Sequence, residues 1–283
     1  GAHLDLDDYG AAPGSVQRLT RGFLDQTAGI FTVTGPTGSG KTSLLYAMLK
    51  RLNTAAVHIH TVEDPVEVEM HGLAQVQVNR RAGLTFAGAI RSILRQDPDV
   101  ILVGETRDAE TARAVTDAAL TGHLVATTLH TIDAAMALLR FGDLGIDAAE
   151  IGEALSGISA QRLLRRLCSH CREAVADVGG EQEEWFVEIS GDLPRYRARG
   201  CERCQGTGYI GRFPAVEVLL MDAELRDAVV RRAEVAELRA LARKGGMRTM
   251  AEIAVDRAQA GDTDVAEIRR VMGSDLLSGE HRR

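Results

Sequence analysis

"GIFTVTGPTGSGKTSLL", Gly29 to Leu45, decides the fold of this 283-residue chain. A β-branched apolar run, "GIFTVT", meets a glycine-rich turn and then a helix-forming stretch, "GKTSLLYAMLKRL". Within it "GPTGSGKT", Gly35 to Thr42, fits G-x-x-x-x-G-K-[ST] in the strand–turn–helix setting that this motif needs. The glycines let backbone N–H groups converge on phosphate oxygens, and the helix N-terminus adds positive partial charge. Gly35, Pro36, Thr37, Gly38, Ser39, Gly40, Lys41, Thr42 and Ser43 are therefore the candidate nucleotide-binding residues. Lys41 offers a compact cation to the β- and γ-phosphates, and Thr42 a hydroxyl to Mg²⁺. The chain has 30 arginines and three lysines (Lys41, Lys50, Lys244), so a lysine here runs against its own bias.

Between Gly29 and Leu129, short apolar runs alternate with amphipathic ones. "AAVHIHTV", "DVILVGE" and "HLVATTLH" read as further strands, and "TFAGAIRSILRQ" and "DAETARAVTDAALT" as helices. Such alternation predicts βαβ units and a mostly parallel sheet, hence an α/β fold. From Asp147 onward the sequence reads as mostly helical, the arginine-rich "AQRLLRRL" included, and "DAELRDAVV", "AEVAELRALARK" and "TMAEIAVDRAQA" form a helical C-terminal part. No internal repeat stands out.

A phosphate loop alone binds nucleotide; hydrolysis needs acids and a proton acceptor. "VILVGETRD" ends a buried strand at Gly104 and Glu105, where a carboxylate reaches Mg²⁺ or a water beside it. "TVEDPVE", Thr61 to Glu67, places acids around Pro65 just past the second strand, at the C-terminal sheet edge where ligands bind in such folds. "GHLVATTLHT" is expected to bring His123 and His130 to that same edge. A neutral imidazole there can donate to a γ-phosphate, although a satisfied, partly buried histidine is the plainer expectation for either.

The four cysteines form "CSHC", Cys168 to Cys171, and "CERC", Cys201 to Cys204. Two C-x₂-C knuckles can close a tetrahedral Zn²⁺ site with no open position, which argues for structure rather than catalysis. A redox pair accounts for one knuckle and not for both, and nothing in the sequence suggests secretion, so disulfides are disfavoured.

A net charge of −7 argues against a protein whose main task is gripping nucleic acid through its phosphates. The basic clusters "QRLLRR" and "RYRAR" flank the cysteine pairs and read as solvated faces or a subunit contact. No apolar run approaches the ~20 residues of a membrane span, so direct membrane insertion is not expected. The opening "GAH" reads as a tag remnant, with a longer natural chain expected on its N-terminal side.

Taken together, "GPTGSGKT", "TVEDPVE", "ILVGETRD" and "GHLVATTLHT" resemble, in order, the Walker A loop, acidic box, Walker B acid and histidine box of the secretion ATPase superfamily. "GLTFAGAIRSILRQDPDVI", "AQRLLRRLC", "GYIGRFPAVEVL" and "GGMRTM" also look like this family, so the resemblance runs from about Leu19 to Met272. It implies a RecA-like P-loop core with a small zinc-binding lobe and a helical C-terminal part. The expected divisions are 1–28, tag remnant and residual linker or helix; 29–167, ATPase core; 168–213, tetracysteine module; and 214–283, helical subdomain.

The resemblance implies an ATPase using ATP, Mg²⁺ and Zn²⁺, in which Lys41 and Thr42 serve phosphate and Mg²⁺, Glu63 polarises the attacking water, Glu105 supports Mg²⁺ and His130 contacts the γ-phosphate. Spacing alone leaves open which glutamate takes the proton. It further implies a homo-hexameric motor at the cytoplasmic face of the inner membrane, powering assembly of pilin or pseudopilin fibres for type II secretion. Its partners would be a platform protein and the cytoplasmic domain of an inner-membrane secretion protein. A type IV pilus extension motor is the alternative; a DNA-translocating ATPase and a low-turnover nucleotide switch rank below it. The tetracysteine module fits the secretion and pilus-extension branches. "TLHTIDA" has Ile132 where the family carries Asn. Relatives also carry an N-terminal domain that lends arginines to the nucleotide site, so this chain alone is expected to hydrolyse ATP slowly.

Overall fold

Strand β1 (Gly29–Thr34) is buried from Ile30 to Thr34, as a near-continuous apolar run must be. The computed structural model describes residues 5–277, so "GAH", the stretch expected to be a tag remnant, lies outside the described residues. The other strands are β2 (Ile59–Glu63), β3 (Ala74–Gln77), β4 (Val100–Val103), β5 (Leu124–Thr128), β6 (Leu155–Leu167), β7 (Glu173–Ala174), β8 (Tyr196–Arg197) and β9 (Tyr209–Leu220). The main sheet has the order β3-β2-β4-β5-β1-β6-β9, and β7 pairs with β8 in a separate antiparallel ribbon. The pairings from β3 across to β6 are parallel. This is the expected α/β architecture, and because the strands are parallel, their C-terminal ends share one edge.

The helices are α1 (Pro13–Leu19), α2 (Lys41–Leu52), α3 (Phe86–Ile93), α4 (Ala109–Leu120), α5 (Ala134–Asp143), α6 (Ala148–Ala154), α7 (Glu181–Ser190), α8 (Ala223–Val230), α9 (Val235–Lys244), α10 (Met250–Ala260) and α11 (Val265–Leu277). Their starts are written in the sequence. Thr85, Asp108 and Asp133 each accept a backbone N–H of the first turn of α3, α4 and α5, while Asp147 and Thr249 form capping boxes with Glu150 and Glu252. In α2 the positions facing the sheet, Leu44, Leu45, Met48 and Leu49, are buried, while Lys50 and Arg51 near its end lie outside.

Contacts divide the chain into two units. The first holds the residues up to Tyr9, Pro13–Gln161 and Glu217–Met247; the second holds Gly10–Ala12, Arg162–Val216 and the residues from Arg248 on. The expected boundaries at 168 and 214 fall elsewhere because the C-terminal helices part company. In the first unit α8 packs on α6 and α9 on α5. In the second, α10 and α11 pack together, and the turn between them takes the Leu167 N–H on the Asp262 carbonyl.

"AQRLLRRL" is not helical. It lies within β6, a thirteen-residue strand, although its Leu and Arg content favours a helix. Pairing overrides propensity: β6 lies parallel beside β1 from Leu155, opposite Ile30, to Ala160, opposite Thr34, and has β9 as its hydrogen-bonded neighbour on the other side. Likewise "GYIGRFPAVEVL" is strand β9, Pro214 included. Both were hidden by the mostly helical reading beyond Asp147.

Candidate active site

Four strands of the first unit end on the same edge with chemistry attached. The turn after β1 carries Gly35 to Gly40, Glu63 closes β2, Glu105 follows β4 and His130 follows β5. The sheet therefore gathers phosphate loop, acidic box, second acid and one histidine. His123 does not join them. It precedes β5 and so lies at the opposite edge, about 20 Å along the strand from His130. Its Nδ1 lies 3.0 Å from the Ala118 carbonyl, in the turn that ends α4. The shared-edge expectation failed because two histidines flanking one strand leave it at opposite ends.

The phosphate loop is built around Gly35 and Gln161. A Cβ at Gly35 would lie 2.6 Å from the Gln161 carbonyl and 2.8 Å from Ser39 Oγ, so only glycine fits. Gln161 Nε2 donates to the Ser39 carbonyl at 2.8 Å and to the Tyr9 hydroxyl at 3.0 Å, and Tyr9 in turn donates to the Gly40 carbonyl at 3.1 Å. Lys41 Nζ donates to the Gly35 carbonyl at 2.8 Å and the Pro36 carbonyl at 3.1 Å. Burial lowers its pKa, and Glu105 pulls in the other direction. Thr42 and Ser43 lie exposed at the start of α2.

His130 is set by its neighbours. The Leu129 N–H bonds the Val33 carbonyl at 3.1 Å, and the Thr131 N–H bonds Thr34 Oγ1 at 2.8 Å, pinning the loop to the end of β1. His130 Nδ1 lies 3.5 Å from Lys41 Nζ. Burial, then the charge of Lys41, lowers its pKa below the ordinary histidine value, so the ring is neutral at pH 7. Ile132, where the resemblance led one to expect Asn, lies half exposed.

Glu105 is held the same way. Thr106 N–H bonds the Thr128 carbonyl at 3.0 Å, and Thr128 Oγ1 donates to the Gly104 carbonyl at 2.7 Å. Its Oε2 pairs with Arg107, while Oε1 is buried with no hydrogen-bond partner among the described residues. An orphaned buried carboxylate oxygen and an exposed threonine hydroxyl on the same edge are the oxygen donors that suit Mg²⁺. Gly104 also has a steric role: its N–H bonds the Val62 carbonyl at 2.8 Å, and a Cβ there would sit 3.4 Å from Glu63 Cα.

Glu63 is buried, 3% exposed, at the end of β2, where Asp64–Pro65 is a cis peptide. Its Oε1 accepts from Thr61 Oγ1 at 2.6 Å and Gln75 Nε2 at 3.2 Å, and its Oε2 accepts from the Tyr46 hydroxyl. Gln75 also anchors the acidic box, taking the Met70 N–H at 2.6 Å and donating to the Val68 carbonyl at 3.1 Å. Tyr46, Gln75, Tyr9 and Gln161 are the residues sequence reasoning missed. Tyr46 and Gln161 lay inside stretches already singled out, Tyr46 in the phosphate-loop helix and Gln161 at the start of "QRLLRR", but neither stretch was singled out for them.

In the second unit, the four cysteine sulfurs lie within 4.8 Å of one another. Cys168–Cys201 is 4.0 Å, and Cys171–Cys204 and Cys201–Cys204 are 3.8 Å. Tetrahedral Zn²⁺ with sulfurs at about 2.3 Å spaces them by about 3.8 Å, so the donor set fits the metal. Burial raises the Cys204 pKa, yet N–H groups of Cys201 and Gly208, each 3.1 Å from its sulfur, bring it down to about 6, favouring the thiolate that a metal needs. The flanking arginines are used internally. Arg165 stacks on Tyr209 and bonds Glu267, Arg166 pairs with Asp262, and Arg197 and Arg199 pair with Glu173.

Residues 1–270 match the family model described as "Type II/IV secretion system protein". The chain is 45% identical over 271 residues to the type IV pilus assembly ATPase PilB of Thermus thermophilus, covering 93% of this chain and 30% of that protein. It is 48% identical over 254 residues to type II secretion system protein E of Xanthomonas campestris pv. campestris, covering 89% of this chain and 45% of that protein. The chain thus spans under half the length of these two relatives. Among solved structures it resembles the pilus retraction motor PilT with bound ADP, with TM-score 0.69 and 28% identity over 94% of this chain and 66% of that one.

Proposed function

The chain belongs to the Type II/IV secretion system protein family, and from that membership we propose that it is the ATP-hydrolysing part of a motor that drives fibre assembly for type II secretion. The observation that carries this is the convergence of the phosphate loop, Glu63, Glu105 and His130 on one sheet edge. Backbone N–H groups of Gly35–Thr42 cradle the phosphates, and Lys41 exchanges the Gly35 and Pro36 carbonyls for phosphate oxygens. Thr42 and Glu105 would hold Mg²⁺, which draws charge off the β- and γ-phosphates when bound. Neutral His130, beside Lys41, donates to a γ-phosphate oxygen without adding a charge of its own.

Glu63 takes the proton as a water oxygen bonds to the γ-phosphorus and the bond to the β–γ bridging oxygen breaks, leaving that electron pair on ADP. Glu63 suits the base role better than Glu105, whose one occupied oxygen is already neutralised by Arg107. Zn²⁺ on Cys168, Cys171, Cys201 and Cys204 is structural. The working assembly is a homo-hexamer at the cytoplasmic face of the inner membrane, acting on a platform protein and on the cytoplasmic domain of an inner-membrane secretion protein. Among the described residues no helix is long and apolar enough to cross a membrane. The similarity to a type IV pilus assembly ATPase supports pilus extension as the second reading.

The test is ATP turnover and binding by three forms of this chain. Lys41→Ala is expected to lose both; Glu63→Gln is expected to bind ATP and lose turnover by at least about 100-fold. Turnover surviving Glu63→Gln moves the base role to Glu105, and turnover surviving Lys41→Ala removes the assignment of hydrolysis to this phosphate loop.

A further inference from the structure

Thr61 and Glu63 stand two residues apart on β2, so their side chains share a face of the sheet. In the parallel register of β2 and β3, Thr61 lies opposite Gln75, which puts Gln75 on that face too, diagonal to Glu63. The third donor comes from another element. Tyr46 sits in α2, five residues after Lys41 and hence about 140° around the helix from it. One side of α2 serves the phosphate loop while the other brings a phenol to Glu63 Oε2. Burial, then the hydrogen bond to Glu63, raises the Tyr46 pKa well above the ordinary phenol value, so Tyr46 remains the donor and Glu63 the acceptor.

We infer that Tyr46 is a positioning residue for hydrolysis, its hydroxyl fixing the Glu63 carboxylate to the helix that carries Lys41 and Thr42. Thr61 and Gln75 hold Oε1 within the sheet, but both belong to β2 and β3. Only Tyr46, among the donors to Glu63 in the described residues, ties the acid to the phosphate-binding element itself. A carboxylate has roughly four lone-pair directions, so three donors leave one for the attacking water and fix where it points. The water and the γ-phosphate are then positioned from the same helix.

The inference rests on the reading of Glu63 as the base. Its test is steady-state ATP hydrolysis and ATP binding by the unmodified chain, Glu63→Gln, Tyr46→Phe and Tyr46→Leu, with a melting curve for each. Tyr46→Phe keeps the ring and loses the hydroxyl. It is expected to lower kcat by roughly 10- to 100-fold, the worth of one hydrogen bond to a charged group, with KM and ATP affinity unchanged. Tyr46→Leu is expected to match it in kcat even if its melting point falls. Wild-type kcat in Tyr46→Phe, or a loss that appears in KM instead, overturns the inference while Glu63→Gln stays inactive. Activity in Glu63→Gln overturns the reading of the base and the inference with it.

Discussion

Gln161 shows how much of a phosphate loop lies outside its motif. The motif supplies glycines and a lysine, yet the loop's back wall is an amide from the end of the first unit's share of β6 and a phenol from the residue before Gly10. Both are buried, and the Tyr9 pKa is raised by that burial, so the hydroxyl is a permanent donor. Gln161→Leu would strand the Ser39 carbonyl and the Tyr9 hydroxyl in a dry environment. The expected cost is about 3 kcal/mol, a fall in Tm of roughly 6–12 °C, together with weaker ATP binding. Tyr9→Phe removes the donor to the Gly40 carbonyl and the acceptor of Gln161 Nε2, and is expected to cost about 2 kcal/mol. Thermal melts with and without ATP check both; a Gln161→Leu variant that melts and binds like the parent would show that the backbone holds the loop unaided. The motif was legible because its geometry is local. Gln161 was not, because its role depends on where a distant strand ends.

At the level of elements, the sequence announced the strands that feed the site and concealed those that frame it. β1, β2, β4 and β5 are short β-branched runs between helices and could be read directly. β3, "AQVQ", has two apolar residues in four, one of them only an alanine, and its value lies in register, which places Gln75 opposite Thr61. β6 carries good helix formers, and its later part, beside β9 in the sheet, is further tied down by side-chain partners. In the second unit, Arg165 donates to Glu267 of α11 at 2.8 Å and stacks 4.0 Å over Tyr209. Glu267 is wholly buried and also receives Arg270. Burial alone would raise its pKa, but hydrogen bonds from Arg270 and Arg165 outweigh it, and the folded value lies below the ordinary 4.5. The sign follows: this stabilisation is complete above the unfolded carboxylate value and is lost as pH falls through the lower folded one. Glu267→Gln is therefore expected to cost about 2 kcal/mol at pH 7, discounted for the exposed guanidinium ends, with the gap to the parent closing below about pH 4.5. Urea titrations across that range check this, and a gap that widens on acidification would contradict the assignment.

On the scale of the whole molecule, the division by contacts makes metal removal informative. Each unit has its own buried core: Phe31, Leu44, Val62 and Ala126 in the first, Phe186, Phe213, Ala254 and Ile268 in the second. The cysteines belong wholly to the second, where Cys168 N–H bonds the Gly208 carbonyl at 2.8 Å and Arg172 donates to the Gly261 carbonyl at 2.8 Å. Four thiolates at such close range repel one another unless a cation sits among them, and structural Zn²⁺ in small modules contributes on the order of 10 kcal/mol of binding energy to folding. One Zn²⁺ per chain is the expected metal content. Chelation, or Cys201→Ser, is expected to lower hydrogen-exchange protection across 162–216 and 248–273. Protection across 29–161, and ATP binding with it, should stay near the untreated level, because the phosphate loop draws its hydrogen bonds from Tyr9, Gln161 and its own backbone. An equal loss in both segments would mean that the metal holds up the nucleotide site as well, and absence of zinc from the purified chain would remove the clip while leaving the chemistry at the sheet edge untouched.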